Sequence, residues 1–250
     1  MITLNSGHIL SGWQRDPIDE RDHLFAGAPV ALPPMVDLSP GCSPVEDQGQ
    51  LGSCTGNAIV GALEYANLTF KNDSTDLSRL FVYYNERVAE GTVKEDAGAI
   101  IRDGIKSVSQ YGACPEIYCK YDITKFTKKP TKTAYKKALK YRIASYQSIT
   151  SLDGMLQCLA QSTPFVFGFT VYESFESQAV ADTGIMPMPK PGEQVLGGHA
   201  VLAVGYDKRT NLMKCRNSWG ANWGDKGYFY MPFNFIADTS QADDMWAIKI

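Results

Sequence analysis

The sequence predicts an α+β protein, because its two halves show different periodicities. In the first half apolar residues recur every three or four positions, which is typical of helices. In the second half short runs rich in β-branched and aromatic residues are separated by turn residues, which is typical of strands. These patterns divide the chain into an N-terminal segment (1–31), a mainly helical domain (32–140) and a strand-rich domain (141–250).

Three helices are predicted in the first half. The first begins at Cys54 and keeps apolar residues at helical spacing as far as Phe70, so we expect an amphipathic helix. Ser78 is a residue type that caps helices, and the apolar residues after it predict a second helix. A third helix is predicted over 100–111, with Gly112 as its stop signal.

The second half contains a series of predicted strands and one helix over 151–161. The strands cover 141–149, 165–172, 199–207, 212–217, 228–232 and 246–250. A predicted turn over 207–211 joins two of them as a hairpin, so these two strands should lie side by side in antiparallel order. Because the chain changes character near its middle, we expect the functional site between the helical and the strand-rich halves.

Cys54 lies where a thiol can be activated. It is at the N-terminus of the first predicted helix, where unpaired backbone N–H groups and the helix dipole favour the thiolate. A thiolate is a strong nucleophile, but its attack on a carbonyl also requires a proton carrier, a group that orients the carrier, and donors for the oxyanion. The chain offers one candidate for each role.

The candidate proton carrier is His199. Of the three histidines, His8 and His23 lie in a polar N-terminal stretch, whereas His199 begins a strongly strand-forming run. The neighbouring strand of the predicted hairpin ends at Asn217, which places its amide near the imidazole. We expect Cys54 and His199 to form a thiolate and imidazolium pair before substrate binds, because each charge stabilises the other.

Four residues, in order along the chain, resemble the active site of the papain and cathepsin family of cysteine peptidases. They are similar to the family's oxyanion-hole glutamine, its nucleophile, its base and the residue that orients the base: Gln48, Cys54, His199 and Asn217. The resemblance covers roughly residues 32 to 250. The Ser-Cys-Thr signature at residues 53–55 is similar to the microbial branch of the family.

The resemblance implies a papain-like fold, in which a helical left domain and a β-barrel-like right domain flank a cleft. It also implies a cysteine peptidase that hydrolyses peptides or proteins through a thioester acyl-enzyme and needs no cofactor. We expect an endopeptidase, and exopeptidase action is the alternative that stays open. Four further residues would bind the substrate: Gly98, Gly198, Trp219 and Trp223. Trp219 would in addition shield the hydrogen bond between Asn217 and His199 from water. Packing in a core is the alternative for the two tryptophans, and a turn is the alternative for Gly98.

Two positions depart from the family pattern, which has a cysteine three residues before the nucleophile and an aromatic residue directly after it. Here these positions are Leu51 and Thr55. One disulfide that the family often forms is therefore absent, and so is an aromatic group that packs beneath the start of the helix. Neither change touches the proton chemistry.

Two other functions remain open on the same residues. An acyl transferase or deamidase would use the same thioester, with an amine competing with water or a side-chain amide replacing the peptide bond. A catalytically silent binding module would keep the fold without the chemistry.

The N-terminal segment (1–31) precedes the part of the chain that resembles the family. It mixes aromatic residues with charges, a composition that indicates docking onto the rest of the protein. Either the segment covers part of the cleft and inhibits the enzyme as a short prosegment, or it packs elsewhere as a strap that completes the fold.

Composition excludes several classes of partner. The chain has 24 basic and 27 acidic residues and a net charge of -3, which argues against a nucleic-acid binder. No run approaches the length of a membrane-spanning helix. The N-terminus lacks the features of a secretory signal, so we expect a cytoplasmic protein or one exported by a leaderless route. The basic run over 120–142 is expected to be a solvated face; attraction of acidic substrates or a membrane surface is the alternative.

The six cysteines are too few for a disulfide scaffold. Cys158 and Cys215 lie in apolar patterns, so we expect buried and inert thiols. Cys114 and Cys119 are close enough in sequence to form a bridge or a metal pair, but no second cluster of Cys or His completes a ligand set, so no metal site is expected. The pairing of the cysteines other than the nucleophile, Cys42 included, stays open.

Overall fold

The structure is a computed structural model that describes residues 2–3, 7–10, 12–27 and 30–250. The remaining seven positions, all of them in the N-terminal segment (1–31), lie outside the described residues. The described part contains seven α-helices: α1 (Cys54–Lys71), α2 (Arg79–Glu90), α3 (Ile101–Tyr111), α4 (Lys132–Ala138), α5 (Leu152–Ala160), α6 (Gln178–Thr183) and α7 (Phe233–Ile236).

The strands of the described residues form one large sheet and two small ones. In chain order they are β1 (Ile2–Thr3), β2 (Ile9–Leu10), β3 (Trp13–Gln14), β4 (Met35–Asp37), β5 (Ala99–Ile100), β6 (Ser145–Ser148), β7 (Phe165–Tyr172), β8 (Val195–Asp207), β9 (Leu212–Arg216), β10 (Tyr228–Pro232) and β11 (Ala242–Lys249). The large sheet runs in the order β10-β9-β8-β7-β11-β6, β4 pairs with the end of β8, and all of its pairs are antiparallel. Helices beside an antiparallel sheet confirm the predicted α+β class.

Local sequence signals set the ends of the helices. The Ser78 hydroxyl accepts a hydrogen bond from the Phe81 backbone N–H, which satisfies one of the free donors at the start of α2. Gly91 ends α2 with a left-handed backbone, at φ 75°, where a side chain would be strained. Gly112 follows α3 at the predicted position.

Helix α1 is more deeply buried than predicted. Residues 54–67 are all buried, so the first four turns lack an exposed face. The reason is its central position, because α1 packs against α2, α3 and β8 at the same time. Phe70, which the apolar spacing assigned to the buried face, is 61% exposed. The expectation of an amphipathic helix was therefore wrong for most of α1.

The strand predictions differ from the structure mainly at their ends. The run predicted as a strand over 141–149 is extended only at β6, and residues 139–141 form a 3-10 turn. Strand β11 begins at Ala242, four residues before the predicted start, because a β-bulge accommodates the polar residues Asp243 and Asp244. Asp244 has a left-handed backbone with φ 58°, a conformation that apolar alternation does not predict.

Two apolar cores lie on either side of the large sheet. One lies between the sheet and α5, and it contains the phenylalanines of β7. The other joins α1 and α3 to residues of β8, and it contains Cys54, Ile59 and Ala200. Cys54 therefore lies at the junction between the helices and the sheet.

All six cysteines are free thiols. Cys158 and Cys215 are buried, as expected, and Cys114 and Cys119 form no bridge. Among the described residues no group of His, Cys, Asp or Glu is arranged to hold a metal ion. Within the same residues, no helix combines the length and the apolar character needed to cross a membrane.

Candidate active site

Cys54 is the first residue of α1, as predicted, and only 1% of it is exposed. The backbone N–H of Ala200 donates a hydrogen bond to Cys54 Sγ at 3.3 Å. Since Ala200 directly follows His199 on β8, this contact joins the start of α1 to the strand that carries the candidate base. The fold thus brings together two residues that are far apart in the sequence.

His199 and Asn217 form a hydrogen-bonded pair. His199 Nε2 lies 2.8 Å from Asn217 Oδ1. Because an amide oxygen can only accept, the ring carries its proton on Nε2. The other ring nitrogen, Nδ1, is then free to take a proton. The pairing of β8 with β9 explains the contact, because Asn217 directly follows the last residue of β9. Trp219 stacks on His199 with 4.8 Å between ring centroids, which covers the imidazole.

The Gln48 side chain is held at both ends of its amide. Its Oε1 accepts a hydrogen bond from Ser218 Oγ at 2.6 Å, and its Nε2 donates to the Leu51 carbonyl at 2.9 Å. The second Nε2 hydrogen stays available for an oxyanion. Ser218 had no predicted role, although its position next to Asn217 is a signal that sequence reasoning could have used.

The N-terminal segment lies directly over the thiol. Strand β3 pairs in parallel with β5, and the Gly12 carbonyl accepts a hydrogen bond from the Ala99 N–H at 2.8 Å. A Cβ atom added to Gly12 would lie 2.1 Å from Cys54 Sγ. Only a residue without a side chain fits here, so the main chain of the segment touches the sulfur.

Trp13 anchors this crossing. It is buried, and its indole N–H donates a hydrogen bond to Asp244 Oδ2 at 2.8 Å. The ring lies against two glycines: a Cβ on Gly168 would meet it at 2.0 Å, and a Cβ on Gly198 would meet the Trp13 carbonyl at 2.6 Å. The glycines therefore shape the groove that receives Trp13.

Charged contacts extend the docking beyond Trp13, through the two charged residues that follow it at 15 and 16. Arg15 forms an ion pair with Asp243 at 2.9 Å. Asp16 Oδ2 accepts a hydrogen bond from the Trp246 indole at 2.8 Å, and Asp16 Oδ1 accepts one from the Arg102 backbone.

Another part of the segment reaches the far side of Trp219. His8 stacks on this indole with ring centroids 5.2 Å apart, and His8 Nε2 lies 3.0 Å from Asp47 Oδ1. Because His199 also stacks on Trp219, the indole has an imidazole against it from both the segment and the candidate site.

The predicted substrate-binding residues occupy different surroundings. Gly98 directly precedes β5, and Gly198 touches Trp13, so both border the groove that residues 12–14 fill. Trp219 and Trp223 are buried and pack edge to face on each other beside Phe175. In this structure the tryptophans belong to the aromatic core behind His199, and the cleft is occupied by the segment.

The ionisation of the pair differs from the expectation. Burial raises the pKa of Cys54 to about 12, because a thiolate beneath the segment would lose its hydration. Burial also lowers the pKa of His199 to about 4, although its bond to Asn217 acts in the opposite direction. Both groups are therefore neutral near pH 7 when the segment is docked. The prediction of a thiolate and imidazolium pair before substrate binds was wrong for this covered state, since desolvation outweighs the helix dipole.

We expect Cys54 of the full chain to resist iodoacetamide at pH 7 and to react only as the pH approaches its raised pKa of about 12. The alkylation rate should rise with pH, because burial favours the unreactive thiol form until the pH nears the raised pKa. Peptide mapping by mass spectrometry measures the labelling of each cysteine, with the half-buried Cys42 and Cys119 as internal controls. Faster labelling of Cys54 than of these controls at pH 7 would contradict the covered site.

Comparison with known proteins identifies the family. The profile of the papain family cysteine proteases matches residues 32–244. An uncharacterized peptidase C1-like protein of Acanthamoeba polyphaga mimivirus is 46% identical over 213 residues, which cover 81% of this chain and 68% of that protein. Mouse pro-cathepsin H is 29% identical over 200 residues, covering 75% of this chain and 55% of its own length. The chain thus spans about one half to two thirds of these curated relatives.

A solved structure confirms the papain-like fold. Xylellain, a cysteine protease from Xylella fastidiosa, is 40% identical and superposes with a TM-score of 0.89, covering 100% of this chain and 98% of its own. Procathepsin L 3 of Tenebrio molitor shares the fold at 18% identity and a TM-score of 0.72, over 99% of this chain and 75% of its own. The matched residues contain Cys54, His199 and Asn217 with the contacts described above. The chain belongs to the papain family of cysteine proteases.

Proposed function

We propose that this protein is a cysteine endopeptidase that hydrolyses peptides or proteins and is held inactive by its own N-terminal segment. The observation that carries the proposal is the placement of the Gly12 main chain against Cys54 Sγ, beside a hydrogen-bonded His199 and Asn217. A substrate carbonyl must occupy the space that Gly12 fills. The same contact that marks the site therefore also blocks it.

Release of the segment exposes the sulfur and the imidazole to water, which removes the burial that keeps both neutral. The thiol proton then passes to His199 Nδ1, since Nε2 stays bonded to Asn217. The resulting thiolate and imidazolium are the reactive pair. In this account the charged pair belongs to the open form only.

The open site carries out acyl transfer in two stages. The Cys54 sulfur attacks the substrate carbonyl carbon, a C–S bond forms, and the oxyanion receives hydrogen bonds from the Gln48 amide and the Cys54 backbone N–H. His199 gives its proton to the leaving amine as the C–N bond breaks. Water then attacks the thioester, His199 takes a proton from that water, and the thiol is regenerated as the acid product leaves.

The edge of β5 gives an extended substrate a place to bind. In the docked state the Ala99 N–H donates to the Gly12 carbonyl, so this backbone donor faces the groove. When the segment leaves, the donor loses its partner, and the backbone of an extended peptide can replace it. Gly98, which precedes β5, and Gly198 on the opposite wall keep the groove wide enough for a main chain.

Replacing Gln48 with alanine should lower kcat by about 10²- to 10³-fold, the range for loss of one oxyanion donor. The physical reason is the loss of the free Nε2 hydrogen, while Ser218 and Leu51 lose only one hydrogen-bond partner each. Initial rates on a peptide amide substrate measure the effect, and Gln50→Ala, at an exposed residue of the same loop, is the matched control. Equal kcat for Gln48→Ala and Gln50→Ala would contradict the assigned role.

Product analysis distinguishes peptide hydrolysis from the two related reactions. A diverse peptide mixture incubated under reducing conditions with a Trp13→Ala form, in which the docked segment is weakened, should yield new free N-termini and C-termini at internal positions. An acyl transferase would instead produce new amide bonds, and a deamidase would convert side-chain amides to acids without cutting the chain. Removal of terminal residues alone would indicate an exopeptidase and would contradict the endopeptidase proposal.

A further inference from the structure

A hydroxyl from a distant part of the chain lies beneath the loop that carries the oxyanion donors. We call residues 48–54 the oxyanion loop, because it begins at Gln48 and ends at the backbone N–H of Cys54. Tyr121 OH lies 2.9 Å from the Gln48 carbonyl and 2.5 Å from Ser53 Oγ. One phenol therefore contacts both ends of the oxyanion loop. The basic run over 120–142 gave no indication of this role.

The direction of the hydrogen bonds follows from the atoms involved. A carbonyl only accepts, so the single phenolic hydrogen of Tyr121 goes to the Gln48 carbonyl. The Ser53 hydroxyl must then donate to the Tyr121 oxygen, and Ser53 Oγ accepts from Asn57 Nδ2 at 3.2 Å. The result is a directed chain of hydrogen bonds from Asn57 in α1 through Ser53 and Tyr121 to Gln48.

Arg79 holds this chain from the other side. Its guanidinium carbon lies 4.0 Å from the centroid of the Tyr121 ring, a cation–π contact. The same guanidinium donates to Asn57 Oδ1 at 3.2 Å and to the Asp47 carbonyl at 3.3 Å, and it pairs with Glu46 at 3.1 Å. It therefore fixes the ring of Tyr121 and braces both ends of the hydrogen-bond chain.

The geometry points to Tyr121 as a positioning residue for the oxyanion hole, and this inference rests on the proposed function. Its hydroxyl fixes the separation between the Gln48 side chain and the Cys54 backbone N–H, the two donors that must converge on one oxygen. Without it, Gln48 keeps its bonds to Ser218 and Ser53 keeps its bonds to Asn57, but the hydroxyl that links the two ends of the oxyanion loop is lost. Burial raises the pKa of Tyr121 to about 12, so the phenol stays a donor across the working pH range.

Tyr121→Phe removes the hydroxyl and keeps the ring under Arg79. Tyr135→Phe is the matched control, because the Tyr135 hydroxyl also donates one partly buried hydrogen bond, to Asn85 Oδ1 at 2.7 Å, away from the oxyanion loop. Both substitutions are made in the full chain, in the wild-type form and in a Trp13→Ala form that weakens the docked segment. Three quantities are measured: kcat and KM on a peptide amide, the inhibition constant of a peptide aldehyde, and the rate of Cys54 alkylation by iodoacetamide.

We expect Tyr121→Phe to lower kcat about tenfold, the order of one hydrogen bond, with KM changed less than about twofold. The aldehyde forms a tetrahedral adduct whose oxygen lies in the oxyanion hole, so its inhibition constant should rise by the same factor. Alkylation involves no oxyanion and should stay unchanged. A merely structural role would slow alkylation together with turnover, so that pattern would overturn the inference.

Equal kcat for Tyr121→Phe and Tyr135→Phe would also overturn the inference, while turnover by the Trp13→Ala form would leave the proposed function intact. Absence of turnover in every form, including Trp13→Ala, would contradict the proposed function and this inference with it. The two failures are therefore distinguishable.

Discussion

Replacing Cys54 with alanine should abolish peptide hydrolysis, with a loss in kcat on the order of 10⁶-fold, as for removal of the nucleophile from a comparable acyl-transfer site. Cys54 is the one cysteine of α1, and its sulfur accepts the N–H of Ala200, the residue next to His199. The rate is measured by cleavage of a fluorogenic peptide amide. The fold should survive, because the change removes one buried sulfur atom.

The matched control is Cys42→Ala, at a half-buried thiol whose Sγ donates to the Leu38 carbonyl, outside the candidate site. Its activity should equal that of the parent, and both variants should melt cooperatively. Residual hydrolysis by Cys54→Ala within tenfold of the parent would mean that another residue does the chemistry, and the assignment of the nucleophile would fall.

Replacing Trp13 with alanine should raise the activity of the full chain by about 100-fold. Truncation of a buried tryptophan costs about 3–5 kcal/mol, and every 1.4 kcal/mol is a factor of ten in the docking equilibrium. The substitution also removes the hydrogen bond from the indole to Asp244. The expected gain in activity is smaller than the change in the docking equilibrium, because activity stops rising once the segment is mostly released.

Two further variants separate release of the segment from damage to the fold. Ile18→Ala alters the same segment at a side chain that is 99% exposed, so its activity should equal that of the parent. Gly12→Leu forces a side chain toward Cys54 Sγ and should raise activity by a different physical route, namely steric exclusion. Lost activity and a lowered Tm in both Trp13→Ala and Gly12→Leu would indicate a structural strap and contradict self-inhibition.

The residues of the candidate site could be predicted from the sequence, but their ionisation could not. Cys54, His199 and Asn217 could be found because chain order and strand pairing determine which of them meet. The charge state of Cys54 could not be predicted from the sequence. The helix dipole is a local property, whereas the burial of Cys54 comes from Gly12, in a distant segment. Desolvation by a docked segment becomes visible only when the tertiary structure is known.

The same distinction explains which parts of the fold were predicted. Regular signals such as the Ser78 cap and the apolar, aromatic-rich run of β7 predicted the elements and most of their bounds. The bulge at Asp243 and Asp244 hid the start of β11, because two adjacent carboxyl groups look like a loop in the sequence. Tyr121 was missed for a similar reason, since its partner Gln48 is 73 residues away in the chain.

Labelling by a peptidyl epoxide, which traps activated thiols, reports whether His199 activates Cys54 and whether the N-terminal segment covers it. The wild-type chain, Trp13→Ala and Trp13→Ala with His199→Ala are treated at pH 7, and labelled cysteines are located by peptide mapping. We expect labelling at Cys54 alone. It should be slow in the wild type, at least about tenfold faster in Trp13→Ala, and nearly absent when His199 is also replaced. Equal rates in the wild type and Trp13→Ala would show that the N-terminal segment does not cover Cys54. Labelling spread over the other cysteines would show that Cys54 is not activated by His199.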